Sequence, residues 1–217
     1  MKNSFETESD ALETETLAGL AENIVYRLPG CTDLMVRKAL QDVYRDFCRR
    51  SCCLRTARHF HLSPKCRHYP VSASNDAFAV DSVVQVTLGR RVLEQEADYR
   101  IKGVGRNLCV ELTGRVYVPD YEVACPEDVH VDVVEVPRLG AEYVTDGFVE
   151  KYGDAIVSGV LSRLMSMTGR AWTDVAQAAI ERQIYESAVG EARLNYYVGS
   201  ASGNGDAGFG IDTSDLI

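Results

Sequence analysis

The sequence of 217 residues lacks a segment that would place it in a membrane or direct its export. Its longest apolar run, residues 156–161, is interrupted by Ser158 and Gly159, whereas a helix that crosses a bilayer needs about 20 apolar residues. The first residues turn acidic at Glu6 without the basic and apolar regions of a secretory signal, which predicts a protein made in the cytoplasm.

Motifs that mark common enzymes are also missing. Gly103 and Gly105 are followed by Arg106, without the further glycine or the Lys-Ser/Thr pair that a nucleotide-binding loop requires. The sequence has no G-x-S-x-G elbow and no H-E-x-x-H helix. It therefore predicts a protein that is not an enzyme and that has no cofactor and no resident metal.

A disulfide framework is not expected. The cysteines are odd in number and unevenly spaced in a chain without an export signal, which favours reduced thiols. They are Cys31, Cys48, Cys52, Cys53, Cys66, Cys109 and Cys125.

The charge is predominantly acidic but unevenly distributed. The formal net charge is -9, which argues against general binding to duplex nucleic acid, since affinity for phosphate backbones comes mainly from clustered Lys and Arg. Residues 1–22 carry six acidic residues and one lysine, a net charge of -5, whereas residues 37–67 carry nine basic and two acidic residues, a net charge of +7. These opposite charges suggest a further hypothesis, that they join neighbouring copies of the chain and that the contact weakens as salt rises.

Helical periodicity occurs on both sides of a central region. Between about 14 and 51, two helices flank a break at Pro29 and Gly30, and Thr32 or Asp33 is expected to cap the second. Between about 145 and 197, Gly159 is expected to let another helix approach closely, and Trp172 to plug the core between two helix ends. Thr173 is expected to cap the last helix, with an apolar face made of Ala176, Ile180, Ile184, Ala188 and Ala192.

The region from about 54 to 137 has short alternating or β-branched runs separated by glycine and proline. No segment within it is long enough for a parallel crossover helix, so the runs predict an antiparallel meander. Residues 199–217 are rich in Gly, Ser and Asp and predict a flexible tail.

These patterns predict an α+β protein in which an antiparallel helical bundle of about four helices carries an inserted β-strand module and a flexible C-terminal tail. The predicted divisions are N-terminal bundle helices in 1–53, an inserted antiparallel β module in 54–138, C-terminal bundle helices in 139–198 and the tail in 199–217.

The basic region 49–69 supports a different hypothesis, a zinc- or nucleic-acid-binding module. Thiolates and imidazoles are zinc ligands. The cysteines and histidines of this region, however, lack a C-x-x-C knuckle, and neighbouring side chains on one strand face are about 6.6 Å apart, which is wide for the ligands of a tetrahedral zinc site. Nucleic acid would instead be held by basic side chains with Phe60 and Tyr69 as stacking partners. The ordinary alternative is that these residues cover exposed faces or meet acidic segments of another chain. The candidate zinc ligands are Cys52, Cys53, His59, His61, Cys66 and His68.

Two segments have a distinctive order of turns and helices. The first is the Leu-Pro-Gly-Cys-Thr-Asp turn at 28–33 with the amphipathic run that ends in Phe47-Cys48 and reaches Ser51. The second covers 145–193, includes Gly169-Arg-Ala-Trp172-Thr-Asp174, and is preceded by the strand-like run Val129–Val136. In their order and spacing these segments resemble the head-to-tail adaptor (connector) proteins of tailed bacteriophages. Residues 54–128 match the family only in strand character.

The resemblance implies a structural virion protein of the neck, between capsid portal and tail. Such adaptors form a ring, typically a dodecamer, below the portal, and the tail or nozzle protein assembles on it. The helices are expected to form the ring wall and the β module to face outward or towards the tail. Double-stranded DNA passes through the bore without specific recognition, which suits an acidic protein because acids in the bore repel phosphate.

The C-terminal extension of these adaptors often docks on the portal. In this sequence the tail carries a few apolar residues among Gly and Asp, the composition of a segment that folds on binding; the alternative is a disordered end without a function. The expected portal-docking residues are Phe209, Ile211, Leu216 and Ile217.

Overall fold

A computed structural model describes residues 17–104, 107–120, 128–141, 144 and 147–201 of the chain. The described residues form four helices: α1 (Ala18–Arg27), α2 (Asp33–Ser51), α3 (Phe148–Met165) and α4 (Val175–Ala201). They also form seven strands: β1 (Arg55–His61), β2 (His68–Pro70), β3 (Phe78–Leu88), β4 (Arg91–Val92), β5 (Tyr99–Lys102), β6 (Cys109–Leu112) and β7 (Asp128–Pro137).

The ends of the helices follow local capping chemistry. Thr32 caps α2, because its hydroxyl oxygen accepts a hydrogen bond from the Met35 amide at 3.4 Å. Thr173 does not cap α4 as predicted: Asp174 accepts the Gln177 amide at 2.9 Å, whereas the Thr173 hydroxyl donates to the Met167 carbonyl. The helix thus begins one residue later than the sequence pattern indicates.

The seven strands form two antiparallel sheets. One has the order β1-β7-β3-β4 and the other the order β2-β6-β5. In the first, Arg55 of β1 pairs with Val134 of β7, and Val86 of β3 pairs with Val131 of β7. The antiparallel prediction is confirmed, but the predicted meander is wrong, because β1 and β7 come from opposite ends of the region.

The helices enclose one hydrophobic core. On α3, Phe148, Ile156, Val160 and Leu164 are buried on one face, as their spacing predicts. Trp172 packs against the edge of this core beside the Gly30 turn, which confirms its predicted position. The largest fully buried side chains of this core are Ile24, Leu28, Leu40, Tyr44, Phe47, Phe148, Ile156, Leu161 and Leu164.

The strands enclose a second core of their own. Residues from both sheets contribute to it, so the sheets pack against each other. The face of β7 that carries Val129, Val131 and Val133 is wholly buried there, while α2 contacts the same strand. Other buried members are Val80, Val86, Tyr69, Tyr99, Val110, Leu112 and Val116.

The predicted architecture is therefore wrong. The chain is α+β with four helices and seven strands in its described part, but it is sheet-rich, with two antiparallel sheets, and is not a helical bundle with a small inserted strand module. The apolar stripes of the helices were visible in the sequence. The second core was not, because it depends on which strands pair, and β7 pairs with β1 and β3, which lie far from it in the chain.

None of the described helices has both the length and the hydropathy needed to cross a membrane. Helix α4 extends to Ala201, into the stretch 199–217 that the sequence assigned to the tail.

Candidate assembly surface

The four predicted portal-docking residues, Phe209, Ile211, Leu216 and Ile217, lie outside the described residues. The helix that precedes them in the chain, α4, ends at Ala201. It has a buried face that contains an acidic residue and an exposed face that contains large apolar residues.

One face of α4 packs on the protein. Ala178, Tyr185, Val189 and Ala192 are buried along it at helical spacing. Glu181 is buried on the same face, with a relative exposure of 3%. The sequence alone does not predict that a carboxylate in this position is buried. The buried face of α4 therefore contains an acidic residue among its apolar ones.

Another face of α4 is apolar but exposed. Ile180 is 55% exposed, Ile184 49% and Leu194 65%. The predicted apolar face was thus partly wrong, because it combined these isoleucines with Ala188 and Ala192, which face the core. We call the exposed residues the α4 outer face: Ala176, Ala179, Ile180, Gln183, Ile184, Ser187, Gly190, Glu191 and Leu194.

Polar contacts at Glu181 fix the rotation of α4. The Arg27 guanidinium of α1 donates to the Glu181 carboxylate, and the Gln177 amide donates to it at 3.1 Å. Burial acts to raise the pKa of Glu181, but hydrogen bonds from Ser158, Gln177 and Arg27 outweigh it and the pKa is lowered. The ionised carboxylate therefore holds α4 against α1 and α3.

Tyr185 holds the next turns of α4 in the same orientation. Its ring contacts the Phe47 ring at 6.1 Å between centroids, and its hydroxyl donates to the Asp46 carboxylate at 2.8 Å. Burial and the Asp46 carboxylate raise the pKa of Tyr185, so the hydroxyl stays protonated and donates. A rotation that buried Ile184 would break these contacts.

Ion pairs line the groove of about 470 Å³ between α2, α3 and α4. Arg50 of α2 donates to both carboxylate oxygens of Glu186 on α4 and also approaches Asp46 at 3.4 Å. These hydrogen bonds lower the pKa of Glu186. Arg163 of α3 pairs with Asp42 of α2 at 3.2 Å. The groove is therefore a seam of paired charges between the helices.

Five of the nine basic residues in the stretch 37–67 are paired with carboxylates of the same chain. Arg37 pairs with Asp33, Arg49 with Asp81, and Arg55 with Asp132. Arg50 and Arg58 have carboxylate partners as well, and Arg67 donates to the backbone carbonyls of Thr113 and Val116. The five arginines paired with carboxylates offer less positive charge to phosphate than the sequence suggests.

The two aromatic residues proposed to stack on nucleic-acid bases contact each other. The centroids of the Phe60 and Tyr69 rings are 5.6 Å apart, and Tyr69 is 4% exposed within the sheet core. A buried ring does not offer its face to a base, so Tyr69 is a packing residue, and the partly buried Phe60 packs beside it.

The candidate zinc ligands are dispersed. His59 contacts the ring of His130, His61 pairs with Asp128 at 2.7 Å, and His68 pairs with Glu111 at 2.9 Å. Cys53 is buried at the end of α2, where the Cys48 thiol lowers its pKa. Within the described ranges, no three His, Cys, Asp or Glu side chains are grouped so that they could hold a metal ion.

A buried ion pair between strands β1 and β7, to which the loop after β2 is hydrogen-bonded, went unnoticed in the sequence. Glu135 of β7 is 1% exposed and accepts from the Arg58 guanidinium of β1 at 2.7 Å and from the Ser74 amide at 2.8 Å. An acid within a run of valines was the available signal. The pair attaches the loop after β2 to the sheet.

The segments that resemble phage adaptors form one contiguous unit. Residues 28–51 supply α2 and the turn before it, 129–136 lie in β7, and 145–193 include α3 and most of α4. In the structure α2 contacts α3, α4 and β7. The strands β1 to β6 come from the region that matches the family only in strand character.

No protein-family model matches this chain, and no curated protein matches it.

Proposed function

We propose that this chain is a structural virion protein, a head-to-tail adaptor that forms a ring between portal and tail. The observation that carries the proposal is the contiguous unit of α2, β7, α3 and α4. Segments separated by most of the β region, which resemble the adaptors in order and spacing, pack against one another through α2. A resemblance made of unrelated fragments would not require such packing.

The ring is proposed to be a dodecamer that contacts the portal protein on one side and a tail or nozzle protein on the other. Its site of action is the neck of the virion. The net charge of -9 and the pairing of five arginines of the stretch 37–67 with carboxylates suit a bore through which DNA slides, because acidic groups repel phosphate and paired cations hold it less strongly.

The test is assembly on a portal. The purified full chain is mixed with the purified portal protein of the same genome and imaged by electron microscopy. The proposal expects portal particles that bear an added ring of density at one end. Portal particles without added density, at chain concentrations in large excess, would overturn it.

A measurement on the same sample distinguishes the zinc- or nucleic-acid-binding hypothesis. Elemental analysis of the purified chain reports bound zinc, and titration with duplex DNA reports salt-sensitive binding. A chain that carries about one zinc per molecule and ignores the portal would support that hypothesis and contradict the adaptor proposal.

A further inference from the structure

Two thiols meet where α2 ends. Cys48 lies on the last turn of the helix and is 0% exposed, and Cys53 follows the helix and is 7% exposed. Their side chains are hydrogen-bonded to each other. Both residues belong to the core that the helices enclose, and both thiols are free.

The backbone turn at Cys52 brings these two thiols together. The Cys52 amide donates to the Cys48 carbonyl at 3.0 Å, and Cys52 has the left-handed conformation, with φ at 56°. In a helix end of this kind, the residue after the left-handed one commonly contacts the residue whose carbonyl accepts that hydrogen bond. Here those two residues are Cys53 and Cys48. The geometry of the helix end therefore accounts for the contact between the thiols.

The thiol of Cys52 is directed elsewhere. It donates to the Arg49 carbonyl at 3.7 Å, and the residue is partly exposed. The sequence alone does not show which of the neighbours Cys52 and Cys53 contacts Cys48. The fold selects Cys53.

The thiol pair lies at the joint between the helices and the sheets. Residues 52–54 connect the end of α2 to the start of β1. The Leu54 carbonyl accepts a hydrogen bond from the Glu135 amide of β7 at 2.8 Å, so the chain enters the sheet directly after Cys53. A covalent bond from Cys53 back to α2 would fix the direction in which the chain leaves the helix.

Cys53 is the more reactive thiol of the pair. The hydrogen bond from the Cys48 thiol lowers the pKa of Cys53, although burial opposes this, and Ser51 and Lys151 lower it further. Burial raises the pKa of Cys48. The thiolate is the form that attacks an oxidant. Because Cys53 is also the less buried of the two, we expect a reagent as small as hydrogen peroxide to reach it first.

We propose that Cys48 and Cys53 are an oxidation site, a dithiol that a hydroperoxide converts into a disulfide at the joint between α2 and β1. In a reducing compartment the thiols stay free, and an oxidant locks the joint. The inference does not rest on the adaptor function. It is tested on the purified chain without a portal, so either proposal can fail while the other stands.

The reaction has two steps. The Cys53 thiolate attacks one oxygen of hydrogen peroxide: an S–O bond forms, the O–O bond breaks, and hydroxide leaves and takes a proton from solvent, which gives a sulfenic acid and water. The Cys48 sulfur then attacks the sulfur of the sulfenic acid. The S–S bond forms, the S–O bond breaks, and the hydroxyl group leaves with the Cys48 proton as water. The two sulfurs are oxidised and the peroxide is reduced to water.

Peptide mapping of the full chain detects the bond. The reduced chain is treated with hydrogen peroxide, remaining thiols are blocked with iodoacetamide, and a tryptic digest without reductant is analysed by mass spectrometry. Trypsin cuts after Arg49 and Arg50 and so separates the two cysteines. The expected product is peptide 46–49 linked to peptide 51–55, and dithiothreitol separates them. Cys48 that stays an unlinked thiol after peroxide treatment would overturn the inference.

Two variants identify the partner of Cys48. Cys52→Gly is the matched control, because it removes the neighbouring thiol and glycine is the usual residue in the left-handed conformation. It is expected to keep the link between peptides 46–49 and 51–55, whereas Cys53→Ala is expected to lose it. A link that persists in Cys53→Ala, or that is lost in Cys52→Gly, would refute the assignment.

The melting temperature measures whether the bond locks the joint. A disulfide constrains the unfolded chain even when it closes a short loop, so oxidation of the wild type is expected to raise the melting temperature by about 5 °C. Dithiothreitol is expected to reverse the rise. Cys53→Ala, treated in the same way, is expected to show no rise, which separates the disulfide from other effects of peroxide. A linked wild-type chain with an unchanged melting temperature would contradict a locked joint.

Discussion

Gly159 of α3 lies directly against Tyr185 of α4. A Cβ built on Gly159 would come within 2.7 Å of Cδ2 of the Tyr185 ring and within 2.7 Å of Cγ1 of Val43 on α2. Three helices therefore meet at one glycine. The Tyr185 hydroxyl, which donates to Asp46 at 2.8 Å, holds the ring in place and prevents it from yielding to a larger residue.

The first prediction concerns this contact. Gly159→Ala is expected to lower the free energy of unfolding by about 1–3 kcal/mol, the usual cost of overpacking a core, despite the better helix propensity of alanine. Denaturant unfolding followed by circular dichroism measures it. Gly153→Ala is the matched control on α3, since its Cβ would lie 3.4 Å from its neighbours. Equal stability of the two variants would contradict the prediction.

The buried ion pair of the sheet gives the second prediction. Arg58→Met removes the charged partner of Glu135 and leaves its carboxylate buried, which is expected to cost about 3–5 kcal/mol. Arg37→Met is the control, because Arg37 and Asp33 form an exposed pair on one helix whose loss costs a few tenths of a kcal/mol. If both variants unfold at the same denaturant concentration, Glu135 does not depend on Arg58.

The third prediction concerns pH. The pKa of Glu181 is lowered in the folded chain by hydrogen bonds from Ser158, Gln177 and Arg27, which outweigh the effect of burial. A lowered pKa contributes stability above the ordinary carboxyl value, about 4.3, and the contribution is lost as pH falls from there through the folded value.

Glu181→Gln removes this contribution. The difference in stability between wild type and variant is expected to be constant between about pH 6 and pH 7 and to shrink as the pH falls below about 4.3. Thermal or denaturant unfolding across this range measures it. A stability difference that grows as the pH falls would contradict a lowered pKa for Glu181 in the folded chain.

The fourth prediction concerns the C-terminal segment. None of the described helices and strands includes residues 202–217, since the last of them, α4, ends at Ala201. The truncated chain is expected to fold with an unchanged melting temperature and to lose portal binding, as judged by electron microscopy or co-sedimentation with the portal. A full-length variant with Phe209, Ile211, Leu216 and Ile217 all replaced by Ser is the matched control for length and is expected to fail in the same way. Unchanged portal binding by either variant would end the docking hypothesis.

Local patterns were predictable where one cause dominates. The Thr32 cap and the buried face of α3 depend on residues near one another in sequence. The close approach at Gly159 and the packing of Trp172 were predictable from residue type, since glycine leaves room for a neighbouring helix and a large apolar side chain between helix ends packs on the core. The sequence could not distinguish the faces of α4 in this way. Both faces carry apolar residues, and the buried one includes Glu181, whose partner Arg27 is remote in the chain.

The stretch 37–67 likewise has a function that the sequence alone could not predict. Its net charge of +7 can be counted in the sequence, but the function of that charge depends on which acids lie beside it. Asp81, Asp132 and Glu135 come from β3 and β7 and meet arginines of α2 and β1 only in the folded chain. The histidines among the candidate zinc ligands likewise have partners far away in sequence, on β7 for His59 and His61 and on β6 for His68.

The sequence by itself determined where helices and strands form, because backbone preference, capping and periodicity act over a few residues. It also determined the acidic balance and the order of the segments that resemble the adaptors. Only the tertiary structure decided that β1 pairs with β7, that two sheets enclose their own core, and that Ile180 and Ile184 are exposed while Glu181 is buried. The physical reason is that strand pairing and side-chain burial depend on contacts between residues far apart in the chain. Each strand or apolar face could pair with more than one partner, and the sequence does not show which partner is chosen.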